Sequence, residues 1–111
     1  MAETRVPIAR YSTLREGAGI SVRVRDMEVA VFLRDGTVYA FENLCPHQHI
    51  PVLAEGSLDG VVLTCPMHGW QFDITDGRCV HASGRLRTFT VHRDGDDVCI
   101  DLPEEEKEAW W

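Results

Sequence analysis

Runs in which apolar and polar residues alternate, separated by Gly-containing turns, organise most of this chain. Ile20 to Arg25 sets Ile20, Val22 and Val24 against Ser21, Arg23 and Arg25, the two-residue period of a half-buried strand. Val29 to Arg34 and Thr37 to Glu42 flank Asp35-Gly36, a dipeptide suited to the positive φ angles of a type I′ hairpin. Val6 to Tyr11 predicts a first strand and Val61 to Thr64 a short apolar one. Gln71 to Ile74 and the residues after Arg78 flank a second turn at Asp76-Gly77. Thr88 to Arg93 and Val98 to Leu102 form a last pair around Gly95-Asp96. Helical character is confined to one turn near Ser12 to Glu16. Short strands at close spacing predict an all-β fold, a small sandwich or barrel.

The candidate chemistry lies in Cys45-Pro46-His47 and Cys65-Pro66-Met67-His68, with residues 48–64 between them. Thiolate and imidazole are the donors preferred by soft and borderline transition metals. Two Cys and two His suit either tetrahedral zinc or a two-iron, two-sulfide cluster with the Cys pair on one iron and the His pair on the other. Zinc fingers group like ligands, C-x2-4-C and then H-x3-5-H. Here each signature carries one Cys and one His, which favours the cluster and leaves zinc as the alternative. Pro46 and Pro66 restrict the backbone beside each Cys and remove an amide donor. Gly69 permits either positive φ or close backbone approach.

The stretch from Asn43 to Gly77 resembles Rieske ferredoxins. The matching residues are Cys45-Pro46-His47-Gln48, Glu55-Gly56-Ser57 with Gly60, and Thr64-Cys65, His68-Gly69-Trp70 and Phe72 up to Asp76-Gly77. The resemblance implies a small antiparallel β-sandwich base with an inserted cluster-binding lobe at about residues 43–80, all within a single domain of residues 1–111. It also implies one [2Fe-2S] cluster, with Cys45 and Cys65 on the inner iron and His47 and His68 on the outer iron at the surface. The pattern looks most like ferredoxins of toluene and alkene monooxygenases, and dioxygenase ferredoxins and nitrite reductase small subunits share much of it. The implied role is single-electron transfer from a flavin-containing NAD(P)H reductase to a multicomponent oxygenase, whether a diiron monooxygenase or a ring-hydroxylating dioxygenase. The partners would dock transiently at a tip formed by Pro46, His47, His68 and Trp70. The alternative is the small subunit of an NAD(P)H-dependent nitrite reductase. Gln48, His49 and Ile50 weigh against it, where many such subunits read Arg-Gly-Gly; Trp70-Gln71-Phe72-Asp73 weighs slightly for it.

Respiratory-chain relatives carry two further Cys joined as a disulfide, where this chain has Ile50 and Met67. They also place a Ser and a Tyr where this chain has Trp70 and Phe72. Hydrogen bonds to cluster sulfurs stabilise the reduced state. Their absence implies a midpoint at the low end of the general Rieske range, about −150 mV.

Composition sharpens the partner picture. The 111 residues are 44% hydrophobic, and the net charge is −7. From Asp94 to Glu108 there are eight acidic residues and one Lys, part of them in an acidic tail at about residues 103–111. Leu44 to Ala54 and Thr64 to Gln71 contain no Asp, Glu, Lys or Arg. An uncharged tip of Pro46, Ile50, Pro51, Met67 and Trp70 suits transient protein docking, and the acidic balance argues against nucleic acid. No apolar run reaches membrane-spanning length, and Met1 to Arg5 has no signal-peptide character, so a cytoplasmic monomer is expected. Catalytic motifs are not expected in an electron carrier: the chain has no P-loop, dinucleotide-binding glycine motif or candidate triad.

Other residues receive weaker readings. Cys79 and Cys99 read as small buried hydrophobes. His49 reads as a surface neighbour of His47, and His81 and His92 as solvent-facing. Trp110 and Trp111 belong to the tail. Trp70 could shape the docking face, serve the electron path or shield the metal centre. Ala82 to Arg87 lacks the Pro found in a covering loop of many relatives, which leaves that cover open.

Overall fold

The computed structural model describes residues 3–44, 52–66, 69–80 and 84–103. Among the described residues, ten strands form three antiparallel sheets. The first sheet, in the order β1-β10-β9, holds β1 (Glu3–Arg10), β9 (Val91–Asp94) and β10 (Asp97–Pro103). The second, in the order β2-β3-β4-β8, holds β2 (Gly19–Val24), β3 (Met27–Arg34), β4 (Thr37–Glu42) and β8 (Thr88–Phe89). The third holds β5 (Ser57–Asp59), β6 (Val62–Thr64) and β7 (Gln71–Asp73) in sequence order.

The second sheet is the central layer, and β3 shows why. Successive side chains of a strand point to opposite faces. Val29, Val31 and Leu33 therefore join Val38 and Ala40 against Ile8, Val98, Ile100 and Leu102 of the first sheet. Ala30 and Phe32 join Phe41 on the other face, against Leu53, Leu63, Phe72, Ile74 and Leu86 of the lobe. Val29 to Leu33 is consequently buried at every position. Phe32 and Phe41 stack with ring centroids 5.8 Å apart and planes 11° from parallel. Burying each ring contributes about 1.5–3 kcal/mol. The expected sandwich is thus the first two sheets, and the third stacks as an additional layer.

The Asp35-Gly36 turn forms as the sequence predicts, with Arg34 opposite Thr37 and φ angles of 52° and 79°. Two expectations require correction. Thr88 to Arg93 is not one strand. Phe89 pairs with Ala40 in the central sheet, whereas Val91 pairs with Ile100 in the first, so the chain changes sheets at Thr90. Continuous alternation cannot reveal such a corner, because both halves keep the same period. The helical turn occupies Tyr11–Thr13, upstream of the expected centre. Asp96 draws it there, accepting hydrogen bonds from the Ser12 amide (2.8 Å) and the Ser12 hydroxyl (2.9 Å).

Candidate metal centre

Each candidate ligand segment leaves a strand end, but the two are built differently. The first follows β4. The Asn43 amide donates to the Glu28 carbonyl (2.8 Å), and the Leu44 amide turns back to the Glu42 carbonyl (2.8 Å). Cys45, Pro46, His47, His49, Ile50 and Pro51 lie outside the described residues. The chain re-enters at Val52 and forms a 3-10 turn, Leu53–Glu55, with Leu53 and Ala54 buried. That turn is fixed against the central sheet through the lobe core.

The second segment is the tip of the β6–β7 hairpin, with Thr64 opposite Gln71. The Cys65 amide donates to the Trp70 carbonyl (2.7 Å), and the Gly69 amide donates to the Cys65 carbonyl (3.1 Å). These bonds tie Cys65 to Gly69 and Trp70 across the tip. Pro66 is exposed, while Met67 and His68 lie outside the described residues. Gly69 adopts positive φ (73°), one of the two uses expected of it. Cys65 is 1% exposed and belongs to the lobe core with Leu63, Phe72 and Cys79. Its side chain is therefore presented from the interior, as an inner metal ligand requires.

A further pair of extended segments braces this hairpin. The Asp73 amide donates to the Arg78 carbonyl (2.9 Å) and the Val80 amide to the Gln71 carbonyl (2.9 Å), so the Asp76-Gly77 turn returns alongside β7. Residues 84–86 then lie beside that return. The Cys79 amide donates to the Gly84 carbonyl (3.0 Å) and the Leu86 amide to the Gly77 carbonyl (2.7 Å). Leu86 is buried in the lobe core, so residues 84–86 pack onto the lobe. His81, Ala82 and Ser83 lie outside the described residues, as do Trp110 and Trp111.

The remaining readings divide. Cys79 is buried as expected. Cys99 is only half-buried, because the odd positions of β10 face outward while Val98, Ile100 and Leu102 fill the core. His92 is not simply solvent-facing, since its Nε2 lies 2.7 Å from Asp101 Oδ2 across the same outer face. Trp70 is half-buried against the lobe core. Val80, 52% exposed, is the one exposed large hydrophobic among the described residues. Asn43 was not legible as a special position. It is the one buried polar residue among the described residues, at 3% exposure. An Asn at the end of an apolar strand just before Cys45 is the only signal the sequence offered.

A two-sheet β base carrying a short hairpin lobe, with one Cys sealed in that hairpin's tip, defines the class of a small all-β metal-centre domain. Residues 4–92 match the Rieske [2Fe-2S] domain. The chain belongs to the Rieske [2Fe-2S] family. It is 32% identical over 104 residues to the ferredoxin component of a naphthalene 1,2-dioxygenase system from Pseudomonas aeruginosa, covering 92% of this chain and 99% of that one. Among solved structures, a ferredoxin of Sphingomonas yanoikuyae B1 matches with a TM-score of 0.82 and 30% identity, covering 90% of this chain and 100% of that one. The ferredoxin in a complex of reduced oxygenase and oxidised ferredoxin of carbazole 1,9a-dioxygenase matches with a TM-score of 0.78 and 30% identity, over 86% and 99% of the two chains. A Mycobacterium tuberculosis protein named as an NADH-dependent nitrite reductase small subunit has a TM-score of 0.83 at 21% identity, over 91% and 96%, a likeness of fold alone.

The family resolves the choice left open by the donor set. The cofactor is one Rieske-type [2Fe-2S] cluster and not zinc, and the chain is an electron-transfer protein rather than a catalytic subunit. The residues present fit that group, with two Cys and two His in the two signatures and Cys65 sealed from water. Among the described residues no helix is long and apolar enough to cross a membrane.

Proposed function

We propose that this chain is the ferredoxin component of an aromatic ring-hydroxylating dioxygenase system, carrying single electrons from a flavin-containing NAD(P)H reductase to the terminal oxygenase. The observation that carries the reading is 30–32% identity along nearly the whole length of ferredoxins, one of them named as part of a dioxygenase system. Cys45, His47, Cys65 and His68 would hold the cluster, which supplies reversible one-electron storage when bound. The burial of Cys65 supports its place on the inner iron, leaving the His pair for the surface.

The chain's own residues prepare the exchange. The hydrogen-bonded tip from Cys65 to Trp70 restrains the second ligand segment, which limits reorganisation as the charge changes. Trp70 and the buried Phe72 bring no hydroxyl to the centre, which supports a midpoint near the low end of the range, about −150 mV. Exposed Pro66 and Val80 and half-buried Trp70 supply apolar surface on the lobe. Transient docking faces combine such an apolar centre with a polar rim. Pro46, His47, His68 and Trp70 would form its middle, on a cytoplasmic monomer folded as one domain of residues 1–111 with its lobe at about 43–80.

Anaerobic capture from the native host at low salt tests this reading. Recovery of a flavin reductase and a multisubunit oxygenase, released as salt rises, is the expected result. Stoichiometric recovery with a large sirohaem-containing subunit would make the chain a nitrite reductase component instead.

A further inference from the structure

We propose that Asn43 is a positioning residue for the first ligand segment, holding the two stems of residues 45–51 together and so setting where Cys45 and His47 begin and end their run. This inference rests on the assignment of those two residues as ligands. Asn43 stands two residues before Cys45. Its backbone amide is fixed to Glu28 of β3 (2.8 Å), and the Leu44 amide turns back at once to Glu42 (2.8 Å), so the first stem leaves the central sheet in a set direction. The Asn43 side chain then crosses to the other stem. Its Oδ1 accepts the Ala54 amide at 3.0 Å, a buried bond, and its Nδ2 donates to Ser21 Oγ at 3.3 Å.

The second stem is itself immobilised. Leu53 and Ala54 are 0% and 9% exposed. At Gly19 of β2 a Cβ would stand 2.4 Å from the Ala54 carbonyl oxygen, so the central sheet and the Ala54 backbone touch directly. One amide side chain thus joins β4, β2 and the Leu53–Glu55 turn at the mouth of the ligand segment. A polar group is buried this deeply only where its hydrogen bonds repay desolvation. Asn43 lies just beyond the end of β4, so its bond to the Ala54 amide is not part of a strand pairing. What it spans is the ligand segment.

Groups that orient metal ligands without touching the metal govern retention, and their loss typically weakens metal binding by about 10- to 100-fold. The test compares cluster-loaded wild type with Asn43→Ala, Asn43→Ser, Ser21→Ala and Val31→Ala. Val31 is buried on the opposite face of the central sheet and controls for lost stability. Cluster loss to an iron chelator is followed by visible circular dichroism while far-ultraviolet dichroism confirms the fold, and the reduced state is examined by electron paramagnetic resonance.

The expected result is chelator loss accelerated about 10-fold or more in Asn43→Ala, with a shifted or broadened g-tensor. Val31→Ala should keep the wild-type chelation rate and g-values even if its melting temperature falls further. Ser21→Ala, which spares the Ala54 bond, should stay within about twofold of wild type. Asn43→Ser, whose hydroxyl is too short to reach Ala54, takes the place of Asn43→Ala if that variant does not accumulate. The proposal is overturned if the Asn43 variants lose the cluster no faster than Val31→Ala, or if their g-tensor is that of wild type. A Rieske spectrum that survives His47→Cys would instead sink the ligand assignment beneath it.

Discussion

Replacing Gly77 by Ala would strain the junction between lobe and base, and the structure sets the size of the effect. Gly77 has φ +81°, in the left-handed region, which costs an L residue about 1–2 kcal/mol. A Cβ there would also stand 2.6 Å from the Leu86 carbonyl oxygen and 3.0 Å from Thr88 Cγ2. The first of these is backbone, so Leu86 must retreat. That stretches the 2.7 Å bond from the Leu86 amide to the Gly77 carbonyl, a loss of about 1 kcal/mol. Gly77→Ala should therefore cost about 2–3 kcal/mol. Gly95→Ala is the matched comparison, with φ +65° and nothing within 4 Å of the new Cβ, so only the conformational cost applies. The excess at Gly77 is about 1 kcal/mol and falls on buried Leu86 and on β8. Because loss of a bound cluster makes unfolding irreversible, the assay is the unfolding rate in urea, read by visible absorbance and tryptophan fluorescence. If the strain is released on the way to the transition state, Gly77→Ala should unfold about 5-fold faster than Gly95→Ala. Equal rates would refute the close approach of Gly77 to Leu86.

Three further outcomes are expected. Phe72→Tyr should raise the midpoint potential, because a hydroxyl donated to a cluster sulfur stabilises the reduced state by about 1 kcal/mol, or about 40 mV for one electron; an unchanged or lower midpoint in a reductive titration would refute the role given to the missing donors. His47→Cys or His68→Cys should abolish the Rieske spectrum, and its persistence in either variant would reject that residue as a ligand. The Asp96 carboxyl is held below its usual 3.8, first by the Ser12 hydroxyl, then by the Ser12 amide, with Arg10 adding to them. A carboxyl depressed in the folded state contributes stability at pH values above its unfolded pKa, and that contribution is lost as pH falls through the lowered value. Ser12→Ala should return the Asp96 titration toward the ordinary carboxylate range by NMR, and a curve that does not move would count against the cap.

Much of this molecule was determined locally. Asp35-Gly36 fixed a hairpin because its φ angles are demanded by two adjacent residues and nothing else. The two Cys-Pro signatures narrowed the metal chemistry to zinc or a two-iron cluster, since donor type belongs to the side chain whatever the fold around it. The alternation in β2 was legible for the same reason: one face is buried and one is wet, and the period shows it. Where both faces are buried, that signal disappears. Nothing in the run from Val29 to Leu33 says which residue faces the first sheet and which the lobe, because every position is apolar and the choice is made by the layers on either side. The break at Thr90, the half-burial of Cys99 and the pairing of His92 with Asp101 likewise depend on strands far away in sequence. Asn43 is the clearest case. Its residue type licenses a surface turn as readily as a buried clamp, and only the arrival of Ser21 and the Ala54 amide around it decides between them. The sequence by itself determined which donor types are on offer to a metal, because donors are side-chain chemistry. Tertiary structure alone decided how the binding segments are held, because a buried hydrogen bond needs a partner that only the folded chain brings within reach.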